Sequence, residues 1–195
     1  LRQLETDQGL DQYFGGVFKE CTRHIVGVQM RNLATVGGSI YSRFGFSDIL
    51  TCLMALDTYV ELYHGGIVPL EEFAKRPVRR DDRDILVRII IKKDGRKAAY
   101  TTQRNSETDF TVIACCVSRW GNDWYVAVGA RPGRAQVVKI KDDGYDSLAQ
   151  LAGEAADSFT YGSNTRASGQ YRRQLAAVYT RRLMERLTGR SVSKG

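Results

Sequence analysis

The 195-residue sequence predicts an α+β fold, and three observations carry that expectation. Apolar residues recur at helical spacing near both ends of the chain, and the middle consists of short β-branched runs separated by turn residues. A charged, proline-containing stretch divides the two textures, as expected where a mixed unit gives way to a sheet covered by helices.

From Leu10 to about His24 the positions Leu10, Tyr13, Phe14, Val17, Phe18 and Cys21 recur at three and four residues, which predicts one helix packed along a stripe. A glycine-containing turn follows. Ser47 then reads as the N-cap of a helix carrying Ile49, Leu50, Leu53, Met54 and Leu56, with Asp48 in its first turn where the helix dipole favours a carboxylate. Thr58 to Tyr63 reads as a strand ending at Gly65-Gly66, and Pro69 opens a short helix through Phe73. The charged stretch from Lys75 to Asp84, with Pro77 inside it, is the linker candidate. The expected units are 1–76 and 85–190, joined by a linker at 77–84.

Beyond the linker, Ile85 to Ile91 is a β-branched strand, Lys93-Asp94-Gly95 a turn, and Ala98 to Thr102 its expected partner strand. Phe110 to Arg119 and Trp124 to Gly129 flank Gly121-Asn122-Asp123, which predicts a hairpin, and Gln136 to Ile140 adds a short strand. Leu148, Leu151, Ala152, Ala155 and Phe159 mark one closing helix. Tyr171, Leu175, Val178, Tyr179, Leu183 and Leu187 mark a second. The expectation is a small antiparallel sheet with helices over one face.

Hydrophobic residues make up 43% of the chain, enough for a sizeable core. No apolar run approaches the roughly 18 residues a membrane span needs, and Glu5, Asp7 and Asp11 do not fit a signal peptide, so a soluble, cytoplasmic protein without membrane contact is expected. The first residue is leucine, which points to a processed chain or a piece of a longer one. Cys21, Cys52, Cys115 and Cys116 contain no Cys-x-x-Cys, and the adjacent pair points to opposite faces of a strand. Free thiols follow, and with only His24 and His64 besides, no protein-bound metal site is expected. The formal charge of +7 raises nucleic acid as a partner. The basic residues are nevertheless spread among acids, and the densest group, Arg172, Arg173, Arg181, Arg182 and Arg186, reads as the solvated side of a helix.

The candidate site is the segment Arg31-Asn32-Leu33-Ala34-Thr35-Val36-Gly37-Gly38-Ser39. Glycines let a ligand approach main-chain amides directly, and Thr35 and Ser39 add hydroxyls, a combination that suits a phosphate-bearing cofactor. An ordinary tight turn uses the same residues, so the segment alone does not decide.

Larger blocks decide more. Val28 through Ser39, then Ser47-Asp48-Ile49-Leu50, then Ala55-Leu56-Asp57 with Val60-Glu61-Leu62, together resemble the FAD-binding subunit or domain of molybdenum hydroxylases such as xanthine dehydrogenase and the carbon monoxide dehydrogenase flavoprotein. Arg166-Ala167-Ser168, Tyr171-Arg172 and Arg181-Arg182 resemble the arginine-containing helix near the C-terminus of that family. The resemblance implies the second subdomain of a two-part FAD-binding domain, followed by a C-terminal domain of small antiparallel sheet and helices. The family's first subdomain, with another glycine-rich loop, would precede Leu1. Carried over by position, Thr35, Val36, Gly37, Gly38 and Ser39 would contact FAD, and Asp48 would accept hydrogen bonds from it. Ile25, Tyr41 and Leu86 would line the cofactor, though each also reads as an ordinary core residue. Several relatives carry a lysine where this chain has Thr101, with Arg104 as a partial substitute.

The resemblance further implies an oxidoreductase component that passes electrons from iron-sulfur clusters through FAD to NAD or another acceptor. Molybdopterin and the iron-sulfur clusters would sit on partner subunits, and the fragment alone would be inactive. No catalytic side chain is assigned, because the redox chemistry belongs to the flavin. A basic nucleic-acid-binding module and a structural subunit that has lost FAD are the alternatives.

Overall fold

A computed structural model describes residues 1–77 and 83–189. The chain opens with three short helices, α1 (Arg2–Thr6), α2 (Gln8–Phe14) and α3 (Val17–Thr22). The single helix expected over Leu10 to His24 is therefore two. Gly15 and Gly16 both take positive φ (76° and 84°), a left-handed conformation that ends α2 and turns the chain into α3. The helical stripe survives the break, since Phe14, Val17, Phe18 and Cys21 are all buried.

Next come α4 (Val28–Leu33), α5 (Val36–Tyr41) and α6 (Asp48–Met54). Gly37 and Gly38 lie in the first turn of α5, capped by Thr35, rather than in a turn ahead of a helix. Neither takes a positive φ. Ser47 caps α6 as expected, its hydroxyl accepting from the Leu50 amide at 3.2 Å while donating to the Ser39 carbonyl at 3.0 Å. One side chain thus starts α6 and ties it to α5.

Strand β1 (Thr58–Leu62) is followed by β2 (Gly66–Pro69), α7 (Leu70–Lys75) and β3 (Leu86–Ile91). These strands form an antiparallel sheet in the order β2-β1-β3. Leu86–Ile91 does not open the second sheet as expected, because it pairs along β1, with Tyr59 opposite Ile90 and Val60 opposite Ile89. Sheet membership changes between Ile91 and Lys97, and most of the proposed linker, 78–82, lies outside the described residues.

The second sheet is a meander of β4 (Lys97–Gln103), β5 (Ile113–Trp120), β6 (Asp123–Gly129) and β7 (Gln136–Lys141). The expected hairpin is present. Trp120 pairs with Asp123 across Gly121-Asn122, and Gly121 supplies the positive φ that so tight a reversal requires. Helices α8 (Leu148–Asp157) and α9 (Gly169–Thr188) close the chain.

The sheet is covered on both faces, not one. Side chains alternate along β5, so Cys115 and Val117 join α8 and α9 in one core, while Ala114 and Cys116 join α3 and α6 in the other. All four cysteines are free and buried. A further correction concerns Arg172, read as part of a wet helix face. It is 1% exposed, and its guanidinium donates to the carbonyls of Val112, Gly162 and Ala167 and to Asn164 Oδ1 at 2.6–2.8 Å. It staples the start of α9 to the loop before β5.

Candidate functional site

Between the α4–α6 layer and the end of β4 lies a cavity of about 540 Å³. Thr35, Gly38 and Ser39 form one wall, Ile25 and Asp48 line it, and the segment from Arg104 to Phe110 closes the far side. The glycine pair thus faces a cleft, but its hydrogen bonding differs from the simple cradle. The Gly38 amide donates to Thr35 Oγ1 at 2.9 Å, and the Ser39 hydroxyl donates to the Thr35 carbonyl at 3.2 Å. Among the described residues, the amides of Val36 and Gly37 are the ones without such a partner, as the first N–H groups of a helix are. A Cβ on Gly38 would sit 3.1 Å from Thr35 Oγ1, tight enough to displace that hydroxyl, whereas one on Gly37 would meet only Leu86 Cδ2 at 3.9 Å. The cleft wall needs a glycine at one position and tolerates more at the other.

Of the sequence-predicted set, Thr35, Gly38, Ser39, Asp48 and Ile25 come together around the cavity. Val36, Gly37, Tyr41 and Leu86 are not on its lining. Tyr41 packs against Phe73 at 5.8 Å between ring centres, under the Arg43 guanidinium, and its hydroxyl accepts from the Asp84 amide. Leu86 lies behind α5.

Asp48 is 6% exposed, with its carboxylate held from two sides. The Tyr100 hydroxyl donates to Oδ1 at 2.5 Å and Arg104 NH2 to Oδ2 at 2.6 Å. Burial pushes its carboxyl above the ordinary carboxylate range, against the Arg104 charge and the Tyr100 hydrogen bond. Burial likewise lifts the Tyr100 hydroxyl well above the usual phenol, with the Asp48 charge adding to it. Arg104 also donates from NH1 to the Asp109 carbonyl, yet its Nε is buried and makes no hydrogen bond. Thr101, where the resemblance placed a lysine in several relatives, is absent from the lining, and Arg104 holds the positive charge there.

His24 also lines the cavity, and its imidazole accepts from Arg23 Nε at 2.9 Å. Burial and then the Arg23 and Arg104 charges lower its pKa, so it is neutral near pH 7.

Two loops hold these groups. Arg31, 5% exposed, forms a forked ion pair with Glu5 (2.9 and 3.2 Å) and donates to the carbonyls of Ile25 and Val26. Val26 has a positive φ of 48°, unfavourable for a β-branched residue, and the Arg31 guanidinium fixes that bend. The segment Arg43-Phe44-Gly45-Phe46 docks on the β6–β7 loop, where the Gly45 carbonyl accepts from the Ala130 amide at 2.6 Å. A Cβ on Gly45 would lie 2.2 Å from the Gly133 carbonyl, so no other residue fits there. This docking presents Phe44, Phe46 and Phe110 as a half-exposed aromatic wall, with ring centres 5.1 and 4.4 Å apart. Flat apolar faces left this open are matched to a flat ligand. The aromatic wall escaped the sequence reading, although Phe-Gly-Phe soon after the glycine pair was the available signal, whereas Arg104 was singled out there as a partial substitute for a lysine.

Comparison with known proteins follows this geometry. Residues 4–92 match the family described as the FAD binding domain in molybdopterin dehydrogenase, a span that includes Thr35, Gly38, Ser39 and Asp48. The match covers a little under half of the chain. Among curated proteins, an uncharacterized protein of Escherichia coli K12, YgfM, is 27% identical over 112 residues, covering 57% of this chain and 42% of its own length. The chain therefore spans less than half of that relative. Among solved structures, quinoline 2-oxidoreductase from Pseudomonas putida 86 superposes with a TM-score of 0.79 at 18% identity, covering 97% of this chain and 72% of the other. CO dehydrogenase from Oligotropha carboxidovorans matches with the same TM-score and identity and with 73% coverage of that chain. The enzyme from Hydrogenophaga pseudoflava gives 0.77 at 17% identity. At these identities the likeness establishes the fold alone, shared over 97% of this chain.

Proposed function

We propose that this chain is the FAD-binding, electron-transfer part of a molybdopterin-dependent hydroxylase or dehydrogenase. One observation carries the reading. A cavity of about 540 Å³ is lined by the Thr35-capped turn at Gly38, the buried Asp48 carboxylate and the Arg104 guanidinium.

The residues suit FAD in kind. The wall at Gly38 leaves room for a bulky anionic group beside the start of α5, and Thr35 and Ser39 keep that wall polar. Asp48, fixed by Tyr100 and Arg104, retains acceptor capacity on both oxygens for sugar or ribityl hydroxyls. Arg104 places a positive charge on the cavity wall that complements an electron-rich heterocycle, and the phenylalanine wall and Ile25 exclude water from a flat ring. When bound, FAD supplies both hydride and one-electron chemistry, and the protein contributes orientation and electrostatics.

On this reading the electrons arrive from an iron-sulfur subunit fed by a molybdopterin subunit, and leave to NAD or another acceptor, as in a xanthine dehydrogenase-like complex. Tagged full-length protein isolated from its native host tests it. The expected result is flavin, iron and molybdenum in fixed ratio in one assembly. Full-length protein that carries no flavin, and takes up none on addition of FAD, would leave a structural subunit as the reading.

A further inference from the structure

Asp48 lines the cavity, but one of the two groups that hold its carboxylate does not. Tyr100 is 3% exposed and stands behind Asp48, its ring packed in the core that α3 and α6 share with the sheet. Its hydroxyl donates to Oδ1 at 2.5 Å, while Arg104, which does line the cavity, donates to Oδ2 at 2.6 Å. Each oxygen keeps acceptor capacity for a ligand, and the plane of the carboxylate decides whether that capacity faces the cavity. The torsion that sets this plane has no sharp preference of its own. Two donors on opposite oxygens fix it. With Arg104 alone, Nε, which makes no hydrogen bond, and NH2 are free to take both oxygens as a fork, and the carboxylate would turn toward the guanidinium. The same arginine donates from NH1 to the Asp109 carbonyl, so the loop that carries Phe110 closes onto α6 through this carboxylate.

We infer that Tyr100 is a positioning residue for the cavity ligand: without touching the ligand, it orients the Asp48 carboxylate so that its free lone pairs face the cavity. This role rests on the reading of Asp48 as an acceptor for FAD hydroxyls. It adds to that reading a residue outside the cavity on which cofactor affinity depends.

The test is a double-mutant cycle on the full-length protein, with FAD as the probe and flavin fluorescence titration as the measurement. Tyr100→Phe removes one oxygen and keeps the ring, and Asp48→Ala removes the carboxylate; thermal melts check that both fold. Asp48→Ala should weaken FAD by about tenfold or more and Tyr100→Phe by about tenfold, the loss expected for a misplaced charge-assisted hydrogen bond. In the Asp48→Ala background, Tyr100→Phe should change the affinity by less than about twofold, because the group it orients is gone. A pH series separates orientation from packing. Burial raises the Asp48 carboxyl, the Arg104 charge and the Tyr100 hydrogen bond lower it, and His24, Cys21 and Cys52 are the other titratable groups facing it. A protonated carboxyl loses an acceptor, so FAD affinity falls as the pH falls through its pKa, and Tyr100→Phe should move that fall to higher pH. Unchanged affinity in Tyr100→Phe, an equal loss in both backgrounds, or an acid limb that stays in place would overturn the assignment of Tyr100. Unchanged affinity in Asp48→Ala as well would remove the reading of Asp48 beneath it. If the phenylalanine variant unfolds, Asp48→Glu decides, since it keeps the charge and shifts the carboxylate by a methylene off both donors. About tenfold weaker FAD is then expected, and unaltered affinity would overturn the positioning.

Discussion

Gly38→Val, compared with Gly37→Val, separates a cofactor wall from a merely helical glycine. Both positions are helical, and valine is a better helix former than glycine by roughly 0.3–0.5 kcal/mol, so backbone conformation favours neither glycine. At Gly37 the added atoms meet Leu86 at an ordinary distance. At Gly38 the new Cβ crowds Thr35 Oγ1 at 3.1 Å and weakens the cap it makes with the Gly38 amide. Loss of that cap costs about 1 kcal/mol. For a chain of this size the net change corresponds to a fall in Tm of roughly 2–4 °C per kcal/mol, so the Gly38→Val protein stays folded. The effect on FAD should be larger. Valine methyl groups on the cavity wall hold the ligand away from the α5 turn, and each charge-assisted hydrogen bond lost is worth about 1.5–3 kcal/mol, or roughly 10- to 150-fold in Kd. Flavin fluorescence titration of the full-length variants, alongside thermal melts, measures both quantities. Equal FAD affinity in the Gly38→Val and Gly37→Val proteins, with melts intact, would refute the reasoning.

Further outcomes follow from the supporting residues. Arg172→Met should destabilise the protein by about 3–5 kcal/mol, because it strands the buried carbonyls that its guanidinium satisfies; chemical denaturation reads this directly. Gly45→Ala should cost about 1–3 kcal/mol or more through overlap with the Gly133 carbonyl, lowering Tm and loosening the aromatic wall. Glu5 gives a pH dependence. Burial raises its carboxyl, but hydrogen bonds from Arg31 and Arg2 outweigh that and hold it below the ordinary value of 4.5. A lowered folded pKa contributes stability that is present above 4.5 and lost as the pH falls through the folded value. Glu5→Gln should therefore flatten the acid limb of a stability profile below about pH 4.5, and an unchanged limb would exclude this ion pair as its source.

What the sequence disclosed was local. The Ser47 cap, the Gly121-Asn122 reversal and the stripe of α8 each depend on neighbours within a few residues, and each is found where the pattern places it; the α9 helix is also present, but its buried face runs through Arg172, Ala176, Thr180, Leu183 and Met184, leaving Tyr171 and Val178 of the expected stripe exposed. Partners distant in sequence were not legible. Nothing in Leu86–Ile91 says that it pairs with β1 rather than β4, since β-branched runs fit either sheet. The break at Gly15-Gly16 was hidden because the apolar stripe continues across it. Arg172 looked solvated because its acceptors, Val112 and Gly162, belong to other segments. At the site, Thr35, Gly38, Ser39 and Asp48 share one cavity wall, whereas Val36 and Gly37 of the same motif do not line it. Arg104 and the phenylalanine wall, which complete the cavity, come from the loop after β4 and the segment folded over Gly133.

Amide hydrogen exchange on the full-length protein, with and without FAD, tests the central claim most directly. The account predicts slowed exchange on FAD addition across residues 35–39 and 104–110, the two sides of the cavity, with little change in α8. FAD binding that leaves both segments unprotected would contradict the assignment of the flavin to this cavity.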